Sequence, residues 1–249
     1  WPFEAAHTYQ SLFVSSILSG LELLHSGTTT ILDMGTVHHT DAIFEAYNEL
    51  GMRAVIGNTL MDQGFVEPSY ASLFHDTLWF QDESQRLYEK WQKKHQRLFY
   101  AVSPRFVLSC SEKLLQWCVE FARKNNLLLH THASENPKEC EAVKQKIGMS
   151  DIEYYHRLGF LSRRTIIAHG VWLNEIEQKY LADTQTSLIH CPSTNLKLAS
   201  GIAPIALYKD LQINIGIGCD GAPCNNQLNI FNEMKLAGLL QKPRFGPNA

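Results

Sequence analysis

Leu127-Leu-Leu-His-Thr-His-Ala-Ser-Glu135 decides how this chain is read. Three leucines run directly into two histidines and a carboxylate. A short apolar run that opens into polar residues has the pattern of a buried strand ending at a site. In an extended strand, side chains two apart share a face, so His130 and His132 are expected to point the same way. Glu135 then stands where strand gives way to loop. Imidazole is a common nitrogen ligand for zinc, and a neighbouring carboxylate moves protons. An H-x-H pair alone is equally compatible with two strand histidines satisfied by their neighbours.

The pattern repeats on either side. Thr28–Met34, Arg53–Leu60 and Leu98–Val102 read as earlier strands; Thr165–Ala168, Ser187–Ile189 and Ile213–Ile217 read as later ones. Between them lie helical stretches: Tyr9–Ser26 before Gly27, Asp41–Leu50 before Gly51, Gln81–His95, and one running from Ser109-Cys-Ser-Glu112 to Arg123. Further on come a helix opened by Asn136-Pro137, a short Asp151–Leu158, Asn174–Ala182, Ile205–Asp210 and Gln227–Gln241. Asn136 with Pro137, and Asn174 with Glu177, are helix-start signals, and Gly27, Gly51, Gly148 and Gly159 are stops. Strands alternating with helices predict a parallel sheet of βαβ units. There is no linker, low-complexity tract or internal repeat, so the expectation is one domain over residues 1–249. Seven strand–helix pairs are one short of a (β/α)8 TIM-type barrel, the fold in which working residues sit at the C-terminal ends of strands. His132, His169, His190 and Asp220 each sit just past an apolar run, so their shared position outweighs the structural role any one of them could have alone.

Bulk properties narrow the class. The 249 residues are 45% hydrophobic and 19% charged, with a formal net charge of -3. No dense Lys/Arg run is present, which argues against a nucleic-acid partner. No stretch approaches the eighteen apolar residues of a membrane span, and no signal peptide opens the chain. Six cysteines without a C-x-x-C pair read as reduced thiols of a cytoplasmic protein. Trp1-Pro2-Phe3 reads as mid-domain sequence, so a fragment is expected.

A hydrolytic metal site needs hard or borderline ligands, an open position for water, and a group that takes the proton. His132 suits a ligand. Asp220 suits both ligand and base. His169 can ligate or hold a developing oxyanion, and Glu135 can pass a proton to a substrate nitrogen. Arg105, in Ser103-Pro-Arg-Phe106 just after a strand, can donate to a ring carbonyl or nitrogen. Each has a plainer alternative: a turn residue for Asp220, a core histidine for His190, a surface carboxylate for Glu135, an ion pair for Arg105. His38-His39 read as loop histidines, with substrate contact as the alternative, and Met61–Trp79, without a clear period, as a lid or binding loop. Gly216-x-Gly218-x-x-Gly221 matches the dinucleotide fingerprint but lacks the acidic residue that should follow. One cysteine in Pro223-Cys-Asn-Asn226 excludes the cytidine-type zinc deaminases.

HTHASEN at 130–136, IIAHG at 166–170, HCPSTNLKLASGIAPI at 190–205 and GCDGAPCNNQLNIFNEMKLAGLLQK at 218–242, with LLHSGTTTILDMGTVHHTD at 23–41, together resemble the amidohydrolase superfamily. The nearest branch is the aminohydrolases: guanine deaminase, the methylthioadenosine/S-adenosylhomocysteine and 5'-deoxyadenosine deaminases, and the s-triazine hydrolases. The resemblance implies a (β/α)8 barrel holding a divalent metal, zinc or alternatively iron, that deaminates a purine base or nucleoside. It implies metal ligation by His132 and Asp220, catalysis by Glu135, His169 and Asp220, and substrate binding by Arg105, Glu135 and His169. The partner implied is a small heteroaromatic substrate, and a homodimer is suggested. The family's first strand carries a further H-x-H that should lie upstream of residue 1, and the flanking small β domain is also absent, so the barrel is expected to be partial, with strands 2–8. An s-triazine hydrolase, or an inactive barrel fragment, remains the alternative.

Overall fold

The computed structural model describes residues 1–92 and 94–249, which fall into two compact units, Trp1–Thr131 and His132–Ala249. The first unit contains α1 (Pro2–Ala5), α2 (Tyr9–His25), β1 (Thr30–Asp33), α3 (Thr40–Glu49), β2 (Arg53–Leu60), α4 (Thr77–Trp91), β3 (Leu98–Pro104) and α5 (Glu112–Asn125). The strand β4 (Leu128–Ala133) begins in this unit and ends in the next. The second unit continues with α6 (Pro137–Ile147), α7 (Asp151–Arg157), β5 (Thr165–His169), α8 (Glu175–Thr184), β6 (Ser187–His190), α9 (Pro192–Lys197), α10 (Ile205–Asp210), β7 (Ile215–Ile217), α11 (Ala222–Asn225) and α12 (Ile230–Phe245).

Among the described residues there are seven strands, and each pairs with its neighbour in sequence order. Ala54 to Leu60 run parallel to Leu98 to Pro104, Ala101 and Val102 face Leu128 and Leu129, and Ile166 to Ala168 face Ser187 to Ile189. This is the expected α/β fold of the TIM-type barrel with seven of its strands. A parallel sheet covered by helices needs apolar side chains on both faces. The burial agrees: Ile56, Leu60, Ala101, Val102, Leu129, Ile167 and Leu188 are buried, as are Phe44, Leu115, Tyr155 and Leu181 on the helices that cover them. Each large side chain of this kind contributes about 1.5–3 kcal/mol on burial.

Local signals explain most boundaries. Asn136 accepts a hydrogen bond from the Lys138 amide at 3.0 Å and Pro137 opens α6. Asn174 and Glu177 form a reciprocal cap on α8, and Ser150 with Glu153 does the same on α7. Some expectations shift. The cap of α5 is Ser111, which accepts from the Leu114 amide, while Ser109 closes a preceding 3-10 turn. Helix α4 starts four residues before Gln81 because Asp76 caps it through the Trp79 amide. It ends at Trp91 with Gln92 as its cap, short of the expected His95: Lys94 and His95 are not helical, and Lys93 lies outside the described residues. The last helix begins at Ile230 under Asn229 instead of at Gln227. Within Met61–Trp79, Pro68–Leu73 form a 3-10 turn. Among the described residues no helix is long and apolar enough to cross a membrane.

Candidate metal centre and proton-transfer site

Three strand ends of the second unit meet. His132 lies near the end of β4, His169 closes β5, and Asp220 stands three residues past β7. The His132 and His169 rings stack at 5.4 Å between centroids. His169 Nε2 lies 3.6 Å from Glu135 Oε2 and 4.0 Å from Asp220 Oδ2. His132, Glu135, His169 and Asp220 therefore form one cluster, as their strand-end positions predict.

The backbone is strained at the same places. Ser134, His169 and Asp220 have φ of 52°, 77° and 62°, a left-handed conformation that non-glycine residues avoid. Such strain persists only where surrounding contacts hold it, and it concentrates at functional sites. Here the contacts are identifiable. Buried Asp151 accepts from the Ser134 amide at 2.6 Å and from Ser134 Oγ at 2.7 Å. The Ser134 carbonyl accepts from the amides of Val171 and Trp172, and the Ala133 carbonyl from Gly170. The β4 and β5 ends are thus tied together around His132 and His169. Beyond β7, Asn225 Nδ2 donates to the Cys219 carbonyl at 2.7 Å and to Glu233 at 3.0 Å, and Glu233 also accepts from Ser193. This chain fixes the backbone immediately before Asp220.

Two more contacts orient the reactive groups. His169 Nδ1 donates to Asn195 Oδ1 at 3.0 Å, since that oxygen can only accept. Nε2 of the neutral ring then presents a lone pair to the carboxylates. Ser200 Oγ donates to Glu135 Oε1 at 3.2 Å, and the Ser200 carbonyl accepts from Trp172 Nε1 at 2.6 Å.

Electrostatics follow from burial. Glu135 is half-buried, and desolvation raises its pKa; the Asp220 charge adds to this, while His132 and Ser200 oppose it. Burial lowers the pKa of His169 and keeps the ring neutral, against the pull of Asp220 and Asn195. Buried His190, at the end of β6, is lowered to about 4 by desolvation and by the adjacent His169, and among the described residues neither of its ring nitrogens has a hydrogen-bond partner. A carboxyl whose pKa is raised, beside an imidazole whose pKa is lowered, places an acid and a base together, the pairing that proton transfer uses.

Imidazole and carboxylate donors fit zinc in kind. Among the described residues, however, no group of three or more His, Cys, Asp or Glu side chains is placed to hold a metal ion. His132 and Asp220 therefore fit as part of a ligand set.

Arg105, in the first unit, pairs with Glu4 and lies over the Trp1 ring, its cationic carbon 5.4 Å from the centroid. His130 is buried in β4. Asp151, Asn195, Ser200 and Glu233 leave no periodic trace in the sequence because they act through contacts 8 to 65 residues apart.

Comparison with known proteins agrees with this geometry. The Amidohydrolase family pattern matches residues 14–248. A 5'-deoxyadenosine deaminase of Methanothermobacter thermautotrophicus is 37% identical over 97% of the chain, which covers 55% of that protein. The structure of an adenosine deaminase from Xanthomonas campestris with bound zinc superposes with a TM-score of 0.87 at 26% identity, over 98% of this chain and 54% of that one. Guanine deaminase of E. coli superposes with a TM-score of 0.86 at 29% identity, over 95% and 56%. The chain spans about half the length of the curated relatives it matches. With the family pattern running over nearly its whole length and the strand-end cluster in place, the chain belongs to the amidohydrolase family.

Proposed function

We propose that the chain carries the proton-transfer half, and part of the metal-binding half, of a metal-dependent aminohydrolase that deaminates a purine nucleoside of the adenosine type. The observation that carries this reading is the His169 imidazole facing the Glu135 and Asp220 carboxylates at 3.6 and 4.0 Å with His132 stacked on it. The adenosine class is favoured over guanine and s-triazines by the 37% identity to a 5'-deoxyadenosine deaminase.

His132 and Asp220 are the side chains that would hold a divalent metal, and zinc is favoured because the Xanthomonas structure carries it. Such an ion supplies Lewis-acid activation of water. The chain's own residues handle the protons. Glu135, its pKa raised by burial, gives a proton to the ring nitrogen beside the amino-bearing carbon. Asp220 takes one proton of the attacking water and passes it to the departing amine, which leaves as ammonia, while the proton left on the new hydroxyl returns to Glu135 as the carbonyl forms. His169, held by Asn195, keeps Nε2 aimed between the two carboxylates and orients the water.

Ammonia release from 5'-deoxyadenosine, adenosine and guanine, with zinc added, tests the proposal. Turnover that vanishes in Asp220→Asn is expected. Turnover retained in Asp220→Asn would overturn the assignment. Fewer than three placed ligands among the described residues favours a second reading, a barrel that does not turn over. No ammonia from the wild-type protein on any of the three substrates would select it.

A further inference from the structure

A second pair of histidines faces each other in the first unit. His38 follows β1 and His75 precedes α4. Their Nε2 atoms lie 3.3 Å apart. Two nitrogens bound to one tetrahedral zinc-like ion at about 2.0–2.1 Å lie about 3.3–3.4 Å from each other. The observed separation is the spacing of two ligands on one ion.

The hydrogen-bond alternative is weakened by a competitor. His38 Nε2 also lies 2.8 Å from the Ser72 carbonyl oxygen. That oxygen can only accept, so the Nε2 proton of His38 is directed to it. An Nε2 that bears a proton offers no lone pair to His75. The short contact between the two rings is thus left with, at best, a share of one proton.

Both rings are held in place. His75 stacks on Trp79 at 3.9 Å between centroids and 18° between planes. His38 packs edge-on against His75 at 5.0 Å and against Trp79 at 5.6 Å. The next residue, His39, has a left-handed φ of 61° and caps α3, which fixes the backbone that presents His38. Both rings are half-buried, so an ion can reach them from solvent. Burial, with the neighbouring His38, lowers the pKa of His75, which leaves it a neutral ligand at physiological pH.

We propose that His38 and His75 form a site for a divalent transition-metal ion of the zinc, nickel and copper class, separate from the His132–Asp220 pair. Nε2 of each ring binds the ion. The Nε2 proton of His38 moves to Nδ1, and its hydrogen bond to the Ser72 carbonyl is given up for the bond to the ion. Borderline nitrogen donors select these ions over magnesium and calcium. With two imidazoles only, water completes the coordination shell, and the ion exchanges readily.

Equilibrium dialysis of the chelator-stripped protein against zinc, with elemental analysis, tests this. The measurement is made in a His132→Ala background so that the other candidate site does not contribute. One equivalent is expected there, lost in His38→Ala and in His75→Ala and kept in His39→Ala. Retention of that equivalent in both His38→Ala and His75→Ala, or its absence before they are mutated, would overturn the proposal. Should either variant fail to fold, 15N shifts of the imidazoles on zinc addition to the unmutated protein decide. Movement at Nε2 of His38 and His75 supports the site, and unchanged shifts refute it.

Discussion

Replacing Asp151 tests whether the strained turn between His132 and Glu135 is held from outside. The carboxylate is 2% exposed and accepts three hydrogen bonds: the Ser134 amide at 2.6 Å, Ser134 Oγ at 2.7 Å and the Ile152 amide at 2.8 Å. In Asp151→Ala the Ser134 hydroxyl can turn to a new partner, but the two amides lose theirs. Each buried unsatisfied donor costs about 1–3 kcal/mol, and together with the left-handed Ser134 the loss should reach about 3–5 kcal/mol. Asp151→Asn keeps one acceptor oxygen and offers a donor to Ser134 Oγ, so it should cost only about 1–2 kcal/mol. Urea denaturation followed by circular dichroism gives both values. Because Ser134 precedes Glu135 directly, the folded Asn variant should also release ammonia more slowly. An Asp151→Ala protein within about 1 kcal/mol of wild type would refute the argument that this carboxylate carries the turn.

Two other predictions concern the scaffold and its pH response. Gly35 has φ of +74°, and a Cβ there would stand 1.9 Å from the Gly57 carbonyl oxygen, so Gly35→Ala should lose at least about 3 kcal/mol in thermal or urea unfolding, and a neutral result would contradict the packing between the β1 end and β2. Glu139 is raised to about 8 by burial and by the Asp151 and Glu135 charges. Below its ordinary value near 4.5 both folded and unfolded chains keep the proton, and its contribution is fully present. As pH rises toward 8 the unfolded chain releases the proton first, so stability falls. Urea midpoints at pH 5 and pH 8.5 should differ less in Glu139→Gln than in wild type, and an identical difference in both would refute the shift.

What the sequence reveals and what it conceals divide along physical lines. The alternation of short apolar runs with capped helices placed all seven strands, because burial on both faces and cap chemistry are local properties. The same runs placed His132, His169 and Asp220 at strand ends, and the structure brings them together with Glu135. Helix starts moved by a few residues where a better cap, Asp76 or Asn229, lay off the apolar period. Left-handed φ at Ser134, His169 and Asp220 could not be foreseen, since none is the glycine that ordinarily marks such a turn. The contacts of Asn195 with His169 and of Ser200 with Glu135 depend on how loops fold back, which no spacing encodes. Arg105 was placed correctly after β3, but its pairing with Glu4, a residue 101 positions away, was equally out of reach.

The proposed function requires His132 and Asp220 to bind one ion. Anomalous diffraction at the zinc edge from zinc-soaked crystals tests it most directly. A peak is expected about 2.0–2.2 Å from both an imidazole nitrogen of His132 and a carboxylate oxygen of Asp220. Zinc bound elsewhere in the molecule, with neither of these side chains in reach of it, would contradict the account.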